Sequence, residues 1–147
     1  MQRLGDVLNM KLGDIRDDTI TVRQIKTHKT LQIRLHTEFK PIVAACRQHG
    51  SINIIAKRDG TAFSVDDFEA LWTREMAKEP QGRIRKQGYV FHGLRKNAAI
   101  KLAEAGCTEK EISAITGMSL QMVEHYTRAA NQQKLALNAM KKLEAGT

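Results

Sequence analysis

The sequence lacks the features that cross-linked, membrane-spanning or base-stacking proteins need. It has only two cysteines, Cys46 and Cys107, whose partly apolar helical contexts predict core thiols in a reducing compartment. Aromatic residues make up 5% of the chain, too few for a platform on which single-stranded bases stack. No apolar run approaches membrane-spanning length, and the N-terminus has no signal-peptide pattern. The sequence therefore predicts a cytoplasmic protein without a membrane partner.

The sequence has fewer acidic than basic residues. The chain has 16 Asp and Glu against 24 Lys and Arg, which gives a formal net charge of +8. This excess favours a polyanionic partner, and nucleic acid is the first candidate. An anionic membrane surface is a weaker candidate, because the sequence has no long basic amphipathic helix. With 147 residues, the chain is long enough to form one domain with a substantial core.

The N-terminal part of the sequence predicts a short helix and then a β-hairpin. Residues 3–10 have apolar side chains at helical spacing. Residues 19–25 and 30–35 alternate apolar and polar side chains, which is typical of strands with one buried face. The connection over residues 26–29 is short and basic. We therefore expect an antiparallel hairpin with a cationic tip.

The middle of the sequence predicts two helices. Thr37 is expected to cap a helix over residues 37–48, whose inward side chains are Ile42, Val43 and Cys46. Ser64 and Asp67 have the spacing of a capping box and start a second helix. Trp72 in that helix is predicted to be a packing anchor.

The C-terminal part predicts further capped helices. Thr108 and Glu111 form a capping box, and Gly117 ends the helix that they start. Ser119 is expected to cap the next helix, with one face formed by Met122, Val123 and Tyr126. A last helix is expected to begin at Asn131. The predicted fold class is therefore mainly α with a small antiparallel β-sheet.

The segment from Phe91 to Lys96 carries the clearest chemical pattern. It starts an amphipathic helix whose predicted buried stripe is Leu94, Ala98, Leu102 and Ala105. His92 and Arg95 are three residues apart and share a face in the first turn. The first turn of a helix favours an anion, since its backbone N–H groups are free and the helix dipole is positive there. A titratable imidazole beside a guanidinium suits a phosphate under chemical attack.

Four motifs follow one another along the chain: Arg3-Leu4-Gly5-Asp6, Lys26-Thr27, His92-Gly93-Leu94-Arg95 and Gly117 with Tyr126-Thr127. In this order they resemble the motifs of the tyrosine recombinases of the phage-integrase type. The likeness covers nearly the whole chain, and its most specific part is the H-x-x-R element followed by G-x-S and a tyrosine. The resemblance implies the catalytic domain of a phage or mobile-element integrase that recombines DNA.

The resemblance also implies a role for each motif residue. Tyr126 would be the nucleophile that forms a 3′-phosphotyrosyl link with DNA. Arg3 and Arg95 would clamp the non-bridging phosphate oxygens and stabilise the transition state. Lys26 would protonate the leaving 5′-oxygen, and His92 would assist proton transfer at the phosphate. In this chemistry one phosphate must contact all five side chains, so they are expected to meet in one basic cleft.

Supporting residues complete the expected site. Asp6 would hold neighbouring groups in position. Further contacts to duplex DNA are expected from basic residues at the hairpin tip, before the His92 helix and within it, namely Lys29, Arg83, Arg85, Lys86 and Lys96. No cofactor is expected, and the five histidines show no convincing metal-ligand spacing.

Two departures from the family pattern accompany the resemblance. Met118 stands where family members usually carry a second His or a Trp, and it cannot donate a hydrogen bond to a phosphate. Family members also have further catalytic-domain helices before the first Arg and an N-terminal domain that clamps DNA. We expect residues 1–147 to form a single catalytic domain without those parts. Self-association on DNA in a bacterial or phage-like setting is also expected.

A binding module without catalysis is the rival hypothesis. Residues 108–126 also resemble a helix-turn-helix: a capped helix, a turn at Gly117 and a second capped helix. In that arrangement Ser119, Gln121 and Glu124 would face the major groove, and no strand would be cleaved. An inactive integrase remnant that still binds DNA is a third possibility.

Overall fold

The computed structural model describes residues 2–78 and 90–145. The chain divides into two units, an N-terminal unit of residues 2–92 and a C-terminal unit that begins at Gly93. The described residues are mainly helical and contain one three-stranded antiparallel sheet. The predicted fold class is confirmed.

The sheet lies in the N-terminal unit and has the order β1-β2-β3. Strand β2 (Thr19–Arg23) pairs with β3 (Thr30–Arg34) as the predicted hairpin, with Val22 opposite Leu31. Strand β1 (Ile15–Arg16) was not predicted, because two residues are too few to show alternation. It turns into β2 through Asp17 and Asp18, whose φ values of 46° and 61° fit a two-residue hairpin turn.

Between residues 2 and 78, the N-terminal unit contains the helices α1 (Leu4–Leu8), α2 (Lys40–Gln48) and α3 (Val65–Met76). The core of the unit consists of Ile20, Val22, Leu35, Val43 and Ile54. Two predictions about α2 were wrong. Its start is a 3-10 turn over Thr37–Phe39 that His36 caps through Glu38 N, and Ile42 is 52% exposed. The side chains of α2 that face the core are Val43 and the half-buried Cys46, and Ile42 does not pack against this core.

Four aromatic rings form a second cluster in this unit. Trp72 lies 6.3 Å from Phe68 and 5.3 Å from Phe91, measured between ring centroids. Phe63 meets Phe68 edge-on at 5.8 Å. Such offset and edge-to-face pairs are the favoured arrangements of aromatic side chains. Trp72 is therefore a packing anchor, as predicted.

The C-terminal unit contains most of α4 (Phe91–Glu104) and all of α5 (Glu109–Thr116) and α6 (Leu120–Ala145). Helix α4 ends in a Schellman motif at Gly106, since Cys107 N donates to Leu102 O and Gly106 N to Ala103 O. The Thr108–Glu111 capping box that starts α5 is present as predicted. The core of the unit consists of Ala99, Ala103, Ile112, Met118 and Val123.

Helix α6 is continuous, so the prediction of a separate helix from Asn131 was wrong. The Asn131 side chain donates to Thr127 Oγ1 one turn earlier in the same helix, instead of capping a new one. Thr127 Oγ1 in turn donates to Val123 O. The predicted face of this helix is correct for Val123, whereas Met122 is 43% exposed.

The buried face of α4 also differs from the prediction. The buried side chains are Arg95, Ala99 and Ala103, one position after the expected Leu94 and Ala98. Leu94 is 50% exposed, and Ala105 is exposed as well. Apolar residues occupy almost every side of this helix, so their spacing does not select one face. The helix therefore buries Ala99, Ala103 and Arg95 fully, whereas of the predicted leucines only Leu102 packs against the core, partly buried.

Candidate functional site

Arg3 and Asp6 are the first of the expected site residues in the N-terminal unit. Arg3 precedes α1, and Asp6 lies in the first turn of that helix with a side chain that is 2% exposed. Arg3 Nη1 is 3.8 Å from Asp6 Oδ2, which is ion-pair distance but too long for a hydrogen bond. About a third of the Arg3 side chain (32%) remains exposed. Asp6 therefore orients this arginine without enclosing it.

Asp6 also connects α1 to the hairpin tip. Its Oδ1 accepts a hydrogen bond of 2.8 Å from Ile25 N, the amide directly before Lys26. The predicted supporting residue thus contacts both Arg3 and the backbone beside Lys26. One buried carboxylate brings together two motifs that are far apart in the sequence.

The hairpin tip over residues 24–29 is closed by backbone hydrogen bonds. Gln24 N donates to Lys29 O at 2.8 Å, and His28 N donates to Gln24 O at 2.9 Å. His28 has a φ of 54°, a left-handed conformation that non-glycine residues adopt mainly in tight turns. Lys26 and Lys29 are both exposed on this tip. The cationic hairpin tip predicted from the sequence is therefore present.

A buried amide lies under the tip and was missed by the sequence analysis. Gln24 is completely buried; its Nε2 donates to Gln2 Oε1 at 2.6 Å, and its Oε1 accepts from Thr27 Oγ1 at 2.7 Å. The sequence did contain a signal, because Gln24 continues the inward parity of Ile20 and Val22. A glutamine at an inward strand position needs hydrogen-bond partners.

His92 and Arg95 lie one turn apart on α4 but have different surroundings. His92 is exposed in the first turn, whereas Arg95 is only 5% exposed. Arg95 Nη2 donates to Thr116 O, the last carbonyl of α5, at 2.7 Å. A cationic donor near the C-terminus of a helix also complements the helix dipole. No local sequence pattern predicted that Arg95 would be buried.

Met118 belongs to the core of the C-terminal unit. It is 5% exposed, its N–H donates to Thr116 Oγ1, and its carbonyl accepts from Ser113 Oγ. Gly117 before it has a φ of 69° and forms the left-handed C-cap of α5. The residue at the family's second His or Trp position thus packs among apolar side chains.

Tyr126 lies on α6 and is half-buried against the same core. Lys96 Nζ lies 6.0 Å from the centre of its ring, at the outer limit of a cation–π contact. The His125 ring is 5.4 Å away and tilted. Two groups that carry or can acquire positive charge therefore lie beside the expected nucleophile, and His125 was not predicted.

Some of the residues expected to contact DNA lie within the described ranges. Lys29 and Lys96 are exposed, whereas Arg83, Arg85 and Lys86 lie outside the described residues. The rival helix-turn-helix has its predicted elements, since Ser119 Oγ accepts from Met122 N at the start of α6. Gln121 and Glu124 are exposed on that helix. Within the described ranges, no helix has both the length and the apolar character to cross a membrane.

The chain is similar in fold to solved structures of a recombinase and an integrase. The XerA recombinase matches with a TM-score of 0.71 and 20% identity, over 93% of this chain and 52% of that one. Lambda integrase (75–356), solved as a dimer bound to a COC′ core site, matches with a TM-score of 0.65 and 25% identity, over 86% and 47%. The chain therefore spans about half of the length of the recombinases that it matches.

Comparisons of the sequence with known proteins identify the family. No curated protein sequence matches the chain. A scan against protein families matches residues 1–133 to the phage integrase family. That match includes all four motifs noted in the sequence, from Arg3 to Tyr126. On this evidence the chain belongs to the phage integrase family.

Proposed function

We propose that this chain is the catalytic part of a site-specific recombinase that breaks and rejoins DNA through a 3′-phosphotyrosyl intermediate. Family membership supports the class of reaction. The observation that carries the assignment to these residues is the Asp6 carboxylate, which contacts both Arg3 and the amide before Lys26. Burying a carboxylate is costly, and this one lies at ion-pair distance from Arg3 and accepts from the backbone directly before Lys26.

The cleavage step begins with Tyr126. Its hydroxyl oxygen attacks the phosphorus of a DNA phosphodiester, a Tyr–O–P bond forms, and the bond from phosphorus to the 5′-oxygen breaks. Arg3 and Arg95 stabilise the charge on the non-bridging oxygens of the pentacoordinate transition state. For Arg95 this role uses donors beyond the one bonded to Thr116 O, since a guanidinium carries five N–H donors.

Two further groups move the protons. Lys26 gives a proton to the departing 5′-oxygen, which leaves as a hydroxyl. His92 assists at the phosphate by accepting the proton that the Tyr126 hydroxyl loses. Attack of a 5′-hydroxyl from another strand on the phosphotyrosyl group then restores the phosphodiester and frees Tyr126.

Duplex DNA is the proposed partner, and we propose self-association on it. The XerH recombinase was solved on a palindromic difH substrate as a post-cleavage complex, and lambda integrase as a tetramer on a Holliday junction. In this chain Lys29 and Lys96 are exposed and suited to phosphate contacts. Arg83, Arg85 and Lys86 are proposed to add to them.

Covalent trapping tests the catalytic proposal. The chain is incubated with nicked duplexes that carry a randomised core, and protein–DNA adducts are recovered under denaturing conditions and sequenced. We expect wild type to form adducts and Tyr126→Phe to form none, because phenylalanine keeps the ring and removes only the attacking oxygen. Phe63→Tyr, which adds a hydroxyl elsewhere, is the matched control and should not restore adducts in the Tyr126→Phe background.

Salt dependence tests the proposed contacts with DNA. Binding to duplex DNA should weaken steeply as salt rises, because Lys and Arg contacts release counterions from the phosphate backbone. Lys29→Ala should weaken binding and make the dependence on salt less steep by about one phosphate contact. An affinity that does not change between low and moderate salt would contradict DNA binding through these residues.

A DNA-binding module without catalysis is the second candidate. Two observations favour it: the capped α5, Gly117 turn and capped α6 have the order of a helix-turn-helix, and Met118 is buried where a phosphate donor is usual. This candidate expects salt-sensitive binding without any adduct. Its affinity should depend on Ser119, Gln121 and Glu124. Binding by wild type with no adduct would therefore replace the catalytic proposal.

A further inference from the structure

We propose that Gln24 is a positioning residue for Lys26. Its buried side-chain amide fixes the hairpin tip in the conformation that presents the Lys26 ammonium to the leaving 5′-oxygen. This inference rests on the proposed function, because it assumes that Lys26 is the general acid. It adds a hydrogen-bonded group beneath the tip, formed by Gln2, Gln24 and Thr27.

The first argument is the geometry of the amide. Both polar atoms of the Gln24 side chain are used: the nitrogen donates to Gln2 before α1, and the oxygen accepts from Thr27 next to Lys26. The backbone N–H and carbonyl of Gln24 bond to Lys29 and His28 on the other side of the tip. One residue therefore holds the tip on both sides of Lys26.

The second argument is burial. Gln24 is 0% exposed and Gln2 is 4% exposed. A buried amide is less favourable than an apolar side chain of the same size unless its hydrogen bonds are complete. The same strand face carries Ile20 and Val22, so an apolar residue would suit this position for folding alone. The amide is explained if the conformation of the tip matters more than the apolar contact.

The third argument is that Asp6 fixes only part of the tip. Asp6 accepts from Ile25 N, which sets the entry of the chain into the tip. The Thr27 hydroxyl bond to Gln24 sets the exit. Lys26 lies between these two attachments, and its side chain is exposed. Removing the second attachment should leave the fold intact while Lys26 samples more orientations.

The test distinguishes an effect of Gln24 on protonation of the leaving 5′-oxygen from an effect on the stability of the fold. Gln24→Met keeps the length of the side chain and removes both hydrogen bonds. It is compared with Gln32→Met, an exposed glutamine on β3 of the same sheet. Adduct formation is timed on two nicked duplexes that carry the site selected above. One has the natural 5′-oxygen at the scissile phosphate, and the other has a bridging 5′-sulfur.

The sulfur substrate does not need an acid, because a thiol is a much stronger acid than an alcohol and leaves as a thiolate. We expect Gln24→Met to slow cleavage of the oxygen substrate about 10- to 100-fold, within the range of general acid catalysis, and to change the sulfur substrate by less than about twofold. Lys26→Ala should show the same pattern. Gln32→Met should change neither rate.

Conservative variants at Thr27 give a second readout. Thr27→Val removes the hydroxyl and should reproduce the effect of Gln24→Met. Thr27→Ser keeps the hydroxyl and should cleave the oxygen substrate at nearly the wild-type rate. The double variant of Gln24→Met with Lys26→Ala should be no slower than Lys26→Ala alone, since both act through one group.

Each other outcome contradicts a defined part of the inference. Equal slowing on both substrates would mean that Gln24 only supports the fold, and unchanged rates would mean that it has no role. Either result overturns the inference while the wild-type adduct still supports the proposed function. Absence of an adduct from wild type on both substrates would instead overturn the proposed function.

Discussion

The two arginines proposed to share one role, Arg3 and Arg95, lie in opposite surroundings. Arg3 is a third exposed and is only loosely paired with Asp6. Arg95 is buried and bonds tightly to the last carbonyl of α5. The first is free to adjust to a phosphate, whereas the second is already fixed by the fold. We therefore expect these two proposed catalytic arginines to contribute very differently to stability.

The same contrast extends to the two units. In the N-terminal unit the site is held by bonds between residues far apart in sequence, such as Asp6 to Ile25 and Gln24 to Gln2. In the C-terminal unit most of the hydrogen bonds given above join residues within one turn or one cap, and Arg95 to Thr116 is the exception. The long-range hydrogen bonds of the N-terminal unit depend on the tertiary fold, whereas the short-range hydrogen bonds of the C-terminal unit are determined by the local sequence.

The largest stability effect is expected at Arg95. Arg95→Ala leaves the buried Thr116 carbonyl without its cationic donor and should lower the free energy of unfolding by about 1.5–3 kcal/mol. Urea unfolding followed by circular dichroism measures this. The matched control is Lys96→Ala, which removes an exposed cation from the next position and should cost less than about 0.5 kcal/mol. Equal losses from the two variants would contradict the contrast between fixed and adjustable arginines.

Asp6 should give the next largest effect. Asp6→Ala leaves Ile25 N without its acceptor, and we expect a loss of about 1–2 kcal/mol. Asp6→Asn keeps a carbonyl oxygen at the same place and should lose less. Amide hydrogen exchange of Ile25 provides a local measurement, and exchange should speed up in Asp6→Ala well before the rest of the sheet is affected. Unchanged exchange would mean that this bond does not hold the tip.

The smallest effect is a pH dependence in the C-terminal unit. Hydrogen bonds from the Thr108 backbone N–H and from its hydroxyl lower the pKa of the Glu111 carboxyl. A lowered pKa in the folded state stabilises the fold above the ordinary carboxyl pKa, and this stabilisation is lost as pH falls through the folded value. Wild type should therefore exceed Glu111→Gln in stability at neutral pH, and the difference should vanish in acid.

Urea unfolding at a series of pH values from neutral to acid measures this difference. Glu109→Gln is the control, because Glu109 lies in the same first turn but the capping box is formed by Thr108 and Glu111. A difference between wild type and Glu111→Gln that persists unchanged in acid would show that the charge of Glu111 does not contribute.

The local signals in the sequence were accurate wherever one turn or one hairpin decides the structure. The Thr108–Glu111 box, the Ser64 cap, the Gly117 stop and the pairing of β2 with β3 were all predicted. The caps and the stop each depend on residues within a few positions of one another, and the hairpin pairs two strands that follow each other in the sequence. Short-range residue identity is therefore enough to predict them.

The errors arose where a choice depends on distant residues. Helix α4 has apolar side chains on most sides, so only packing against its neighbours could decide that Arg95 and Ala99 are buried and Leu94 is not. The Asn131 side chain can cap a helix, but here it donates a hydrogen bond to Thr127 Oγ1 and lies within the continuous helix α6. Strand β1 was too short to leave a pattern.

The sequence by itself determined the family, the order of the motif residues, the elements with strong caps and the cationic hairpin tip. It did so because these depend on residue identity at short spacing. Only the tertiary structure decided that Arg95 is buried and Arg3 is not, that Met118 packs in a core, and that Gln24 lies beneath Lys26. The buried Arg95 and Gln24 bond to residues 21 and 22 positions away, and Met118 packs against side chains from other helices. Short-range spacing contains no information about such partners.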